Sequence, residues 1–125
     1  MKNPVFGEVE FNTGWKTTAE ISLYGKKYGV TVKVKAYFEK DGITEEQENA
    51  FRDFDGNREG HMKTAEKLLD DYAGGHSPKR FVPRTILFER DGGYALLLDD
   101  VKDADGGVAV CLSPKEEALP QDAYL

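Results

Sequence analysis

Between residues 30 and 38 the chain alternates: Val30, Val32, Val34, Ala36 and Phe38 fall on one side, Thr31, Lys33, Lys35 and Tyr37 on the other. Period two with β-branched residues predicts a strand with one buried face. Residues 17–24 alternate in the same way, with Thr17, Ala19, Ile21 and Leu23 opposed to Thr18, Glu20, Ser22 and Tyr24. A one-residue slip would turn a whole apolar set to water, so the pairing must keep the faces together. A turn centred on Lys26-Lys27, within the cluster at 25–29, satisfies this. It pairs Leu23 with Val30, Ile21 with Val32 and Ala19 with Val34, and sets Glu20 opposite Lys33. Residues 5–11 alternate Val5, Val9 and Phe11 with Phe6, Glu8 and Glu10, then meet the turn Asn12-Thr13-Gly14. The expectation is a three-stranded antiparallel meander over residues 5–39.

After Asp41-Gly42 the period changes. Thr44 followed by Gln47 is a capping-box signature, and Gln47, Ala50, Phe51 and Phe54 share one helical face. Asp55-Gly56-Asn57 interrupts this helix. A second is predicted over residues 58–72, burying Met62, Ala65, Leu68, Leu69 and Tyr72 and ending at Gly74-Gly75. Residues 76–83, with two prolines, read as a connector. Apolar runs at 85–89, 94–98 and 108–112 read as strands. Asp91-Gly92-Gly93 joins the first two as a hairpin, and an acidic loop at 99–107 joins the last two. Leu96-Leu97-Leu98 is apolar on both faces, as in a central strand, and a final short strand is expected at 122–125. The fold class is α+β, one domain over residues 1–125: an antiparallel β-meander of three strands, a helical segment, then three or four antiparallel strands, with the helices covering the sheet.

The chain holds 125 residues, net charge −6, in alternating blocks. Residues 1–40 carry seven bases and four acids, residues 41–75 four and ten, residues 76–90 four and one, and residues 91–125 two and eight. The single cysteine excludes a disulfide framework and a Cys-based zinc site. No apolar run approaches a membrane span, and the first residues lack the apolar core of a signal peptide. A cytoplasmic location and no membrane partner are expected.

The sharpest motif is at 55–66, close to an EF-hand loop. Asp55, Asn57 and Glu59 stand at its oxygen positions, Gly60 at its sharp turn and Glu66 at its bidentate position. Glu59, Met62 and Lys63 depart from the usual residues, and no second loop exists to pair with it. A helix break, with Asp55 or Asn57 capping the second helix, is the preferred reading of the segment. Calcium is thus the alternative to having no cofactor. Nucleophilic catalysis has little to stand on. His61 and His76 are the only histidines, and Ser77 follows His76 with no nucleophile elbow. Cys111, in an apolar strand, reads as a small hydrophobe. A small enzyme of unknown class stays a further alternative, with no catalytic residue assigned. Lys16, Lys33, Lys35 and Tyr37, with Lys79, Arg80 and Arg84, could track a nucleic acid. The net charge opposes that, and none is expected as a partner.

The C-terminal third, with its apolar strand, acidic turn, Gly-Val-Ala-Val strand (residues 107–110) and ending Leu119-Pro120-Gln121-Asp122, resembles a family of small uncharacterised bacterial α+β domains of unknown function. The helix ending Leu68-Leu69-Asp70-Asp71-Tyr72-Ala73 fits the same pattern. Some similar acidic proteins act as toxin-immunity proteins, so the resemblance implies a binding role. The functional expectation is a non-enzymatic acidic protein-binding domain, an immunity or inhibitor protein being the implied case. Its partner would carry a basic surface, meeting Asp99, Asp100, Asp103 and Asp105 with Glu116 and Glu117. An open strand edge would let two copies pair.

Overall fold

A computed structural model describes residues 1–124 of the chain, the side chain of Ala104 excepted. The order is β1 (Lys2–Asn3), β2 (Gly7–Glu8), β3 (Glu10–Phe11), β4 (Trp15–Leu23), β5 (Lys26–Val34), a 3-10 turn (Glu39–Asp41), α1 (Glu45–Gly56), α2 (Arg58–Ala73), β6 (Phe81–Phe88), β7 (Tyr94–Asp100), β8 (Asp103–Ser113), β9 (Glu117–Pro120) and α3 (Gln121–Tyr124). Strands β3 to β9 form one seven-stranded sheet in chain order, and β1 pairs with β2 apart from it. The fold is α+β, as the periodicities predict.

The pairing of β4 with β5 differs from the expected register. Ala19 lies opposite Val30, Ile21 opposite Tyr28 and Leu23 opposite Lys26, so the turn is Tyr24-Gly25. Glu20 faces Gly29 instead of Lys33, and its carboxylate sits 3.9 Å from the Lys27 ammonium. The two registers differ by an even number of residues. Both keep the apolar faces together, so face matching does not choose between them. Turn chemistry chooses: Tyr24 (φ 52°) and Gly25 (φ 75°) both take positive φ, as a two-residue hairpin turn with the sheet's own twist requires. A tyrosine in that conformation carries a steric cost. Its contacts to α2 offset this: the Tyr24 N–H donates to Glu66 (2.9 Å) and its hydroxyl to Asp70 (2.6 Å).

Further boundaries differ. Strand β6 begins at Phe81, inside the segment expected as a connector, and ends at Phe88. Residues 5–11 are not one strand, because Asn3 Oδ1 accepts from the N–H groups of Val5 (2.8 Å) and Phe6 (2.9 Å) and turns the chain between β1 and β2. The strand expected at 30–38 ends at Val34, and Phe38 is exposed. The end of the chain pairs as β9 and then turns helical, so residues 122–124 are not a strand; residue 125, also within that expectation, lies outside the described residues.

The helices match closely. Thr44 and Gln47 form the reciprocal capping box, Asn57 separates α1 from α2, and Gly74 ends α2 in the left-handed conformation. Tyr72 stays exposed. The segment from β5 through α1 and α2 to β6 returns the chain beside β5 in parallel, Val34 opposite Phe88. Two antiparallel meanders thus share one mixed sheet. Helix α2 runs close to β4 towards one edge and to β8 and β9 at the other, so the sheet curls around it. The core fills this concave side with Val9, Trp15, Val32, Phe54, Leu69, Phe88, Leu96 and Val110.

Gln47 holds the seam of the two meanders. It is fully buried. Its amide donates to the carbonyls of Lys35 (2.9 Å) and Phe88 (3.3 Å) while its oxygen accepts from the Thr44 N–H (2.9 Å). Removing it takes one donor from each carbonyl, leaving only Arg90 on Lys35 (3.1 Å) and the Lys35 N–H on Phe88 (2.9 Å), and opens both the cap and a buried space. Gln47→Ala is expected to lose about 2 kcal/mol of stability in urea unfolding.

Candidate functional site

The predicted acidic loop is largely a hairpin. Strand β7 continues to Asp100, β8 starts at Asp103, and only Val101-Lys102 turns between them. Because β6 pairs with β7, Phe81 lies opposite Asp100 and Val82 opposite Asp99. This register brings the basic block onto the acids. Asp100 is 5% exposed, and Arg80 grips it with Nε on Oδ1 and Nη2 on Oδ2, both at 2.8 Å. The Arg80 guanidinium also lies over the rings of Phe81 (5.0 Å) and Tyr72 (5.9 Å). The Arg80 hydrogen bonds hold the Asp100 carboxyl below the usual carboxylate range against the opposing effect of burial. Arg84 Nε donates to Asp99 at 2.7 Å. The sequence carried the signal: a hairpin turning at Asp91-Gly92-Gly93 necessarily lays residues near 80 beside residues near 100.

The six predicted contact residues do not form one surface. Asp100 is interior and Asp99 is paired. Asp103 accepts from the Gly106 N–H (3.1 Å) and, with Asp105, is exposed at the start of β8. Glu116 and Glu117 follow its other end. Asp103 lies opposite Asp100 of β7, and Glu117 opposite Cys111, which lies opposite Ala95; five residues of β7 at roughly 3.3 Å each separate the two groups by about 17 Å.

The calcium-like residues also stay apart. Asp55 ends up in α1, bonded to Arg58 Nε at 2.8 Å. Asn57 caps α2, accepting from the Gly60 N–H (3.2 Å). Glu59 lies 3.6 Å from Lys63 along the same helix, and Glu66 receives the Tyr24 N–H. Residues 58–66 form helix in place of a loop. Glu59 and Glu66 are seven residues apart, about 10 Å along the axis, whereas a calcium shell needs all its oxygens within about 2.6 Å of one point. Among the described residues no three His, Cys, Asp or Glu side chains group to hold a metal.

Two clusters were not read from sequence. At one, the Tyr24 hydroxyl donates to Asp70 Oδ1, His76 Nδ1 lies 3.3 Å from Asp70 Oδ2, and the Ser77 N–H reaches Asp70 at 3.4 Å. Burial would raise the Asp70 carboxyl, but the bonds from Tyr24, His76 and Ser77 prevail and lower it. At the other, the buried Tyr94 hydroxyl donates to Asp53 (2.6 Å) and lies 3.4 Å from His61 Nε2. Burial and the Asp53 bond push the Tyr94 phenol far up. Burial, with Glu117 and Glu89 nearby, raises the Cys111 thiol. These phenols and this thiol are held protonated at neutral pH, which suits packing better than nucleophilic attack.

The charges left over are segregated. Residues 45–73, the helical segment, carry nine acids and four bases. At the end of the sheet where α1 begins, three loops converge. A β-carbon at Gly92 would sit 3.1 Å from the Glu46 carbonyl, and one at Gly93 3.1 Å from the Ser113 carbonyl. The Thr44 hydroxyl donates to the Arg90 carbonyl (3.0 Å). Glu45, Glu46, Asp91 and Glu116 therefore rim one end of the molecule, with the exposed Lys115 beside Glu116 and 3.9 Å from Glu117. The Arg90 guanidinium is turned inward onto the carbonyls of Lys35 (3.1 Å), Gly42 (2.7 Å) and Asp41 (3.3 Å). Compared with known proteins, the chain matches no family model, no curated protein and no solved structure. Among the described residues no helix is long and apolar enough to cross a membrane.

Proposed function

We propose that the protein is a non-enzymatic, acidic protein-binding domain of the bacterial cytoplasm that engages a partner with a basic surface. The role we infer is that of an immunity or inhibitor protein for a basic toxin domain. The observation that carries this reading is the fate of the bases. Arg80 and Arg84 are consumed by Asp100 and Asp99, and Arg90 by backbone carbonyls. This leaves Glu45, Glu46, Asp91 and Glu116 on a rim carried by a capped helix and two tight turns. Such a preformed acidic rim would speed encounter with a basic partner and select it more than it would deepen affinity.

The test uses the basic polypeptide that co-purifies with the chain or is encoded beside it, with association measured at low and high ionic strength. The combined variant Glu45→Gln, Glu46→Gln, Glu116→Gln should slow association about tenfold, with a shallower salt dependence and little change in dissociation. Asp103→Asn with Asp105→Asn, at the far end, should leave the rate nearly unchanged. Equal rates for the rim variant and the native chain would refute the rim. The larger loss in the far-end variant would return the contact to the β7–β8 hairpin.

A further inference from the structure

The parallel strands β5 and β6 are paired over only part of their length. The ladder runs from Thr31–Thr85 to Val34–Phe88, yet β5 begins at Lys26 and β6 at Phe81. The reason is in β6. Pro83 has no N–H to offer a neighbouring strand, and a bulge lies between Pro83 and Thr85. Upstream of it the strands splay, and a cleft of about 420 Å³ opens between the β4–β5 hairpin and the connector at 76–80.

Its floor is apolar. Leu23 and Phe81 are almost fully buried, and Val82 and Tyr28 line the sides. Its rim carries Lys26 and Lys79. Among the described residues neither ammonium has a carboxylate within ion-pair distance, whereas the neighbouring Lys27, Arg80 and Arg84 each have one. Lys26 Nζ lies 5.4 Å from the centre of the Tyr28 ring. Both walls are fixed through one residue, since Asp70 receives the Tyr24 hydroxyl from the hairpin and the Ser77 N–H from the connector. The cleft is therefore built before any ligand arrives, and it combines an apolar slot with two uncompensated cations in a chain of net charge −6.

We propose that the splayed start of β5 and β6 is a binding site for a small aromatic anion, its ring lying against Tyr28 and Val82 above the buried Phe81 and its carboxylate or phosphate head meeting Lys26 and Lys79. The site is separate from the acidic rim, at the opposite end of the sheet, and does not depend on any protein partner.

Phenyl phosphate and phenylacetate are the probes, titrated into the full chain and followed by NMR shifts of Tyr24, Tyr28 and Phe81. Saturable shifts confined to these residues and their neighbours are expected. Benzyl alcohol, which lacks the charge, and inorganic phosphate, which lacks the ring, should bind more weakly. Lys26→Gln and Lys79→Gln, both at exposed positions, should each weaken binding about threefold, the size an exposed charge contact supports. Absence of saturable shifts at millimolar probe overturns the proposal. Undiminished binding in the double lysine variant, or equal binding of benzyl alcohol, does the same.

Discussion

Arg80→Ala is expected to lower the unfolding free energy by about 3–5 kcal/mol, because it leaves the Asp100 carboxylate buried without its counter-ion. The side chain of Asp100 is 4% exposed and both its oxygens are held by Arg80. Only the Lys102 N–H, at 3.0 Å from Oδ1, would remain. The arginine also covers the rings of Phe81 and Tyr72, so packing is lost with the charge. Urea unfolding should show a lower midpoint with an unchanged slope. Replacing both partners, Arg80→Met with Asp100→Leu, should recover most of the loss, because no uncompensated charge remains. The pH dependence has a definite sign. In the native chain the Asp100 carboxyl lies below its ordinary value. Its stabilisation is complete above the unfolded pKa of about 3.9 and disappears as pH falls through the lower folded value. In Arg80→Ala the lone buried carboxylate takes up a proton more readily. The gap between native chain and variant should thus be widest at neutral pH and close in acid. A gap independent of pH would mean that packing alone accounts for the loss.

Phe88→Ala is expected to cost a similar amount, about 3–5 kcal/mol, by a different mechanism. Phe88 is fully buried at the end of β6, where its ring centre lies 5.2 Å from that of Tyr94, 5.6 Å from Phe6, 5.8 Å from Phe51 and 6.4 Å from Phe54. Those four rings come from β7, the β1–β2 turn and α1. Phe88 is therefore the point where both meanders and the first helix meet, and close-packed neighbours relax only partly into the space it leaves. Phe88→Leu, which keeps most of the volume, should cost clearly less. Thermal unfolding of the two variants separates these outcomes. Equal losses would show that the ring geometry, and not the cavity, carries the energy.

Much of the local structure was legible because it rests on local chemistry. Thr44 and Gln47 satisfy each other within one helical turn, and Asn57 and Gly74 act on their own helix ends. The alternation at β4 and β5 reports a buried face wherever that face ends up. Leu96-Leu97-Leu98 marked a central strand by being apolar on both sides. The β4–β5 register was not legible, since two pairings hide the same residues and the choice depends on Tyr24 reaching α2. The candidate site was legible least. Asp99 and Asp100 look like free acids in a loop until β6 lies beside β7 and delivers Arg84 and Arg80.

The sequence by itself determined the α+β class, the central strands and the two long helices with their caps, and the blockwise charge that makes a basic partner the natural reading. Each of these depends on neighbours within a few positions. Only the tertiary structure decided that the two meanders join through parallel strands, that Asp99 and Asp100 of the second acidic block are paired with arginines, Asp100 inside the protein, and that Glu46 and Ser113 both close on the Asp91-Gly92-Gly93 turn. Those outcomes depend on pairs distant in sequence. Coulomb energy and desolvation act on distance through space, which the order of residues along the chain does not specify until the sheet is assembled.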